Sequence, residues 1–137
     1  MSDETEIRKI IEDWARAVRA KDIDAVLANH TRDILMFDVP PPVTVEGIDA
    51  YRDTWPPFFQ WQREHGGSFD IASLRVTAGA DVAFATAVLL CASKDERERD
   101  DTPRLRLSIG LRKEDGRWQI AHEHHSYPLD PHGASPT

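Results

Sequence analysis

The stretch Gly116-Arg117-Trp118-Gln119-Ile120-Ala121-His122-Glu123-His124-His125-Ser126 decides how the chain is read. Glu114-Asp115-Gly116 leads into it as a hairpin turn, because glycine supplies the positive φ that a tight β-turn needs. Beyond the turn the side chains alternate as a strand requires. Trp118, Ile120, His122, His124 and Ser126 share one face, and Gln119, Ala121, Glu123, His125 and Tyr127 the other. One face must meet the interior, and either choice carries ionisable groups inward. A last strand of this kind points to a site.

Working upstream, strands are predicted near residues 68–77, 82–93 and 104–113, with 118–127 as the last. Gly79-Ala80-Asp81 is a turn and 94–103 a charged loop, so neighbours run antiparallel. Arg104, Arg106, Ser108 and Gly110 alternate with Leu105, Leu107, Ile109 and Leu111, which makes that strand two-faced. Earlier still the pattern is helical. Asp3 and Glu6 have capping-box spacing, and Ile7, Ile10, Ile11, Trp14 and Val18 form an apolar stripe ending near Ala20. Asp22 caps a short second helix running to about Asn29. A short strand at 33–38 stops at Pro40-Pro41-Pro42, since proline has no amide donor. After a loop at 44–47, a third helix turns Ile48, Tyr51, Trp55 and Phe58 or Phe59 inward and is interrupted by Pro56-Pro57. Helices followed by antiparallel strands make an α+β fold: a curved sheet covered by the N-terminal helices, with a cone between them. Trp14, Trp55, Phe58, Phe59 and Trp61 would wall that cone as an apolar pocket. One domain is expected over 1–128 and a flexible tail over 129–137.

At 137 residues the chain suits a single core. A net charge of −7 argues against a nucleic-acid surface. No apolar run approaches the ~20 residues of a membrane span, and no early stretch reads as a signal peptide. The single cysteine, Cys91, excludes an internal disulfide and fits a cytoplasmic setting; within Ala87-Val88-Leu89-Leu90-Cys91-Ala92 it reads as a small buried hydrophobe. No glycine-rich phosphate loop is present, so no organic cofactor is expected.

Four sets of residues could carry chemistry. Asp38 follows Leu35, Met36 and Phe37, and a carboxylate desolvated there suits a general base; the plainer reading is a cap on the proline turn. Glu123 and His125, two apart on one face, can share a hydrogen bond that fixes the imidazole tautomer, either for proton transfer or as a structural pair. His122 and His124 on the opposite face could bite a metal with a third ligand, but no further His or Cys lies at a telling distance, and no metal site is assigned. His30 and His65 sit near helix ends and are expected to face solvent; His132 lies in the tail.

The order of helix, Arg19-Ala20-Lys21-Asp22-Ile23-Asp24 turn, short helix, 33–38 strand, glycine-led helix and meander ending in Gly116–Ser126 resembles the SnoaL-like and ketosteroid isomerase-like proteins over about residues 5–128. These belong to the nuclear transport factor 2-like superfamily, a cystatin-like, cone-shaped α+β barrel. The resemblance puts Asp38 where the steroid isomerases keep their carboxylate base. It puts Trp14 and Ser108 where they keep two oxyanion donors, so the base is matched and both donors are replaced. It also implies Ala121, Glu123 and His125 on the pocket face, with Trp118, Ile120, His122 and His124 on an outer face used for homodimerisation. The implied pocket wall comprises Trp14, Val18, Tyr51, Trp55, Phe58, Phe59, Trp61, Ser108 and Ala121. Two functions follow as expectations. One is an acid–base enzyme (isomerase, cyclase, dehydratase-type lyase or hydrolase) acting on a small hydrophobic or aromatic compound, with Asp38 as base and Glu123 and His125 as an orienting pair. The other is a non-catalytic ligand-binding or oligomerisation domain with a vestigial pocket.

Overall fold

In the computed structural model, which describes residues 2–129, the chain runs α1 (Asp3–Ala20), α2 (Ile23–Leu27), β1 (His30–Phe37), β2 (Val45–Glu46), α3 (Ile48–Asp53), α4 (Trp55–His65), β3 (Asp70–Ala78), β4 (Val82–Leu90), α5 (Lys94–Arg97), β5 (Leu105–Glu114) and β6 (Arg117–Ser126). The fold is the expected α+β cone. His132 and all but the first residue of the expected tail lie outside the described residues.

Helix α1 forms where the apolar stripe predicts it, and Ile7, Ile11, Trp14 and Val18 are buried. Its cap lies one residue earlier than expected: Ser2 accepts from the Thr5 amide. The Asp3 carboxylate instead accepts from Trp118 Nε1 (3.0 Å) and Lys113 Nζ (3.1 Å), tying the helix start to the last hairpin. The helix ends because Lys21 turns left-handed (φ 57°) and the Lys21 and Asp22 amides close on the carbonyls of Val18 and Ala17. Pro56 and Pro57 occupy the first turn of α4, where no intrahelical donor is needed.

The six strands lie in the order β2-β1-β6-β5-β4-β3. All neighbours are antiparallel except β1 and β6, which run parallel and place the end of β1 beside the middle of β6. Residues 45–46, expected as loop, form the small edge strand β2, and the charged loop after β4 contains α5. On the other edge, β3 is covered by α1, and Arg8 and Arg19 donate to the carbonyls of Leu74 and Phe69 (3.3 and 3.1 Å). Capping an exposed edge this way blocks pairing with another chain.

Strict alternation fails in β6. Gly110 pairs with His122 and Leu111 with Ile120, so Ala121 is an extra residue, a β-bulge. Trp118 and Ile120 point inward before it, and Glu123 and His125 point inward after it. The expectation that Trp118 and Ile120 face outward with His122 and His124 is therefore corrected. The bulge lets one strand bury an apolar pair and an ionisable pair on the same side.

Candidate functional site

Two adjoining regions hold the chemistry. The inner one is a buried cluster around the Glu123 carboxylate. His125 Nε2–H donates to Glu123 Oε1 at 2.8 Å, and Tyr51 Oη–H donates to Oε2 at 2.8 Å. Trp14 Nε1–H donates to the Tyr51 oxygen at 3.0 Å. The third partner of the carboxylate is His30, whose Nε2 lies 2.8 Å from Oε2.

His30 was expected to face solvent. Its side chain is instead fully buried, because Asn29 turns left-handed (φ 60°) and delivers residue 30 inward as β1 begins. Its Nδ1 faces the Ala28 carbonyl at 2.9 Å, which can only accept, so Nδ1 carries a proton. Nε2 lies within reach of both Glu123 Oε2 and the Tyr51 oxygen, the latter at 3.1 Å. Burial would raise the Glu123 carboxyl, but the hydrogen bonds and charges of His125 and His30 outweigh it and hold the group down at about 2. Tyr51 is pushed well above the ordinary phenol range by burial and by the neighbouring Glu123 charge, so it stays a donor.

The outer region is an open cavity of about 630 Å³ at the wide end of the cone. Asp38 and Val39 at the end of β1, Phe58 and Trp61 of α4, Cys91 and Glu96 around α5, Leu105 of β5 and Tyr127 after β6 are among its walls. Asp38 joins the two regions. Its Oδ1 accepts from the Val39 amide at 2.8 Å and lies 3.7 Å from His125 Nδ1. Among the described residues no donor meets its other oxygen. His125 thus presents Nε2 to Glu123 and turns Nδ1 toward Asp38. A proton arriving between them would convert this separation into a hydrogen bond.

Of the residues proposed from sequence, Asp38, Phe58 and Trp61 line the cavity. Glu123 and His125 come together as expected but sit behind Asp38 rather than in the open space. Trp14, Val18, Tyr51, Trp55 and Phe59 are core residues packed around the inner cluster, where rings such as Trp14 and Phe69 meet edge to face. Ser108 is exposed on the opposite face of the sheet, across from Thr86 and His124, because its inward neighbours are Leu107 and Ile109. Ala121 is the bulge residue and lines no part of the cavity. His122 and His124 both flank the Phe37 ring on the outer face, with His122 Nδ1 bonded to the Leu35 carbonyl. Among the described residues no group of three or more His, Cys, Asp or Glu side chains could hold a metal ion. Sequence reasoning missed His30, Tyr127 and Glu96. Only the apolar flank of Tyr127 and its position two residues after His125 carried any signal. Cys91 lies in the wall, and burial pushes its thiol up to about 11, so it is no nucleophile at neutral pH.

Comparison with known proteins agrees with this architecture. The model of the SnoaL-like domain matches residues 7–130. An NTF2-like protein of unknown function from Pseudomonas putida KT2440 is 34% identical and superposes with a TM-score of 0.80, over 93% of this chain and 88% of that one. An NTF2-like protein with a cystatin-like fold from Novosphingobium aromaticivorans shares 18% identity at a TM-score of 0.74 (97% and 86% covered). A protein from Parabacteroides distasonis bearing the provisional name ketosteroid isomerase shares 20% identity at 0.66 (94% and 92% covered). The last two show the fold alone. No curated protein matches the sequence.

Proposed function

The chain belongs to the SnoaL-like family, and from that premise we propose that it is an acid–base enzyme acting on a small hydrophobic or aromatic compound held in the outer cavity. The observation that carries this reading is Asp38: a carboxylate in the cavity wall with one oxygen that no donor meets among the described residues, and with His125 Nδ1 at 3.7 Å behind it. Asp38 takes a proton from the bound compound, His125 shares it, and the pair returns it to another atom of the same molecule. Glu123 fixes the tautomer of His125 and holds its ring. Neither position that the resemblance gives to an oxyanion donor offers one, since the Trp14 indole is engaged by Tyr51 and Ser108 lies outside.

That last observation also favours a second reading, a binding domain without turnover. Proton exchange separates the two. Hydroxylated bicyclic ketones in deuterated water should exchange α-hydrogens faster with the protein, and Asp38→Asn should remove about 100-fold of that acceleration. Binding without any acceleration would leave the binding domain standing. Among the described residues no helix is long and apolar enough to cross a membrane. A cytoplasmic setting accords with the lone thiol. A homodimer through the outer sheet face accords with the exposed Val82 and Phe84 there; Phe84→Lys should then yield monomers in light scattering.

A further inference from the structure

The cavity walls differ from an ordinary apolar pocket in the direction of their hydrogen bonds. Three hydroxyl groups line it, and each turns its hydrogen into the backbone. Thr54 Oγ1 donates to the Tyr51 carbonyl at 2.7 Å, Tyr127 Oη donates to the Cys91 carbonyl at 3.2 Å, and Thr102 Oγ1 donates to the Glu96 carbonyl. Pro40, Pro57, Pro103 and Pro128 contribute wall with no amide hydrogen at all. No Lys, Arg or His is among the lining residues. What remains directed at a ligand is mostly acceptor: the free oxygen of Asp38, the Glu96 carboxylate and hydroxyl lone pairs. Glu96 stays ionised, because hydrogen bonds within its capping box with Ser93 hold it low against some burial, helped by Arg99 and His65. Neither of those two lines the cavity. The Trp61 indole is the remaining strong side-chain donor in the wall.

We propose that this cavity selects flat apolar ring compounds carrying a hydroxyl or amino hydrogen, which is donated to Asp38, and rejects organic anions of the same shape. The inference rests on the cavity being the ligand site but not on turnover. A carboxylate ligand would face two fixed negative charges and lose the hydrogen bonds water gave it. A donor ligand instead meets a charged acceptor, the stronger kind of hydrogen bond.

Four probes on one ring system test this: naphthol, naphthylamine, naphthalene and naphthoate, titrated at neutral pH and followed by tryptophan fluorescence. Naphthol and naphthylamine should each bind about tenfold more tightly than naphthalene, and naphthoate at least tenfold more weakly than naphthol. In Asp38→Leu the advantage over naphthalene should vanish and naphthoate binding should improve, with the fold confirmed by circular dichroism. Trp61→Phe should abolish most of the fluorescence response, locating the probe. Naphthoate binding as tightly as naphthol, or a donor preference surviving in Asp38→Leu, would overturn the donor rule while leaving the pocket intact. Failure of all four probes to bind would remove the pocket reading itself.

Discussion

Glu123 on β6 and Asp38, just past the end of the parallel strand β1, are carboxylates both next to His125, and they have opposite fates. Glu123 is sealed, with His125, Tyr51 and His30 all within hydrogen-bond distance of its oxygens. Asp38 sits at the cavity edge with one backbone donor and an oxygen left over. Hydrogen bonds that favour the charged form stabilise a carboxylate and at the same time make it a poor base. The inner acid is thus a structural anchor, and the outer one is available to a ligand.

The sharpest way to break this contrast is to remove the inner charge. Glu123→Gln removes the buried charged acceptor shared by His125, Tyr51 and His30 and should cost about 3 kcal/mol in urea unfolding. A loss near zero would mean that the carboxylate is no anchor. Damage at the cavity wall should be smaller and local. A Cβ on Gly67 would come within 2.3 Å of the Trp61 ring, so Gly67→Ala must displace that indole, costing about 1–3 kcal/mol and weakening probe binding. Tyr51→Phe deletes one donor to Glu123 and leaves Trp14 Nε1 unpaired, for roughly 1–2 kcal/mol.

Acid should weaken the fold through the inner group. The folded Glu123 value of about 2 lies below its ordinary 4.5, so its contribution is fully present above the ordinary value and is lost as pH falls toward 2. A pH series of urea midpoints should show that decline, flattened in Glu123→Gln. Smallest in stability is Asp38→Asn, expected within about 0.5 kcal/mol of the parent while proton exchange collapses. A large stability loss there would make Asp38 a second anchor and erase the distinction.

Much of the architecture was legible in the chain because it follows from local periodicity. The stripe Ile7, Ile11, Trp14, Val18 needs only helical spacing, and the β5–β6 turn needs only Asp115 and Gly116 at positive φ (52° and 76°). Asp38, Phe58 and Trp61 could be placed near a pocket because each ends or follows an apolar run aimed into the cone. Which groups stand opposite each other was decided only in three dimensions. The bulge at Ala121 reverses the inward face of β6 halfway along, and nothing in an alternating pattern announces an added residue. His30 becomes part of the site through Glu123, 93 positions away, by way of the parallel pairing of β1 with β6. Local sequence sets which side of an element is apolar; the protonation state and role of a buried ionisable group depend on partners that only the folded chain brings within 3 Å.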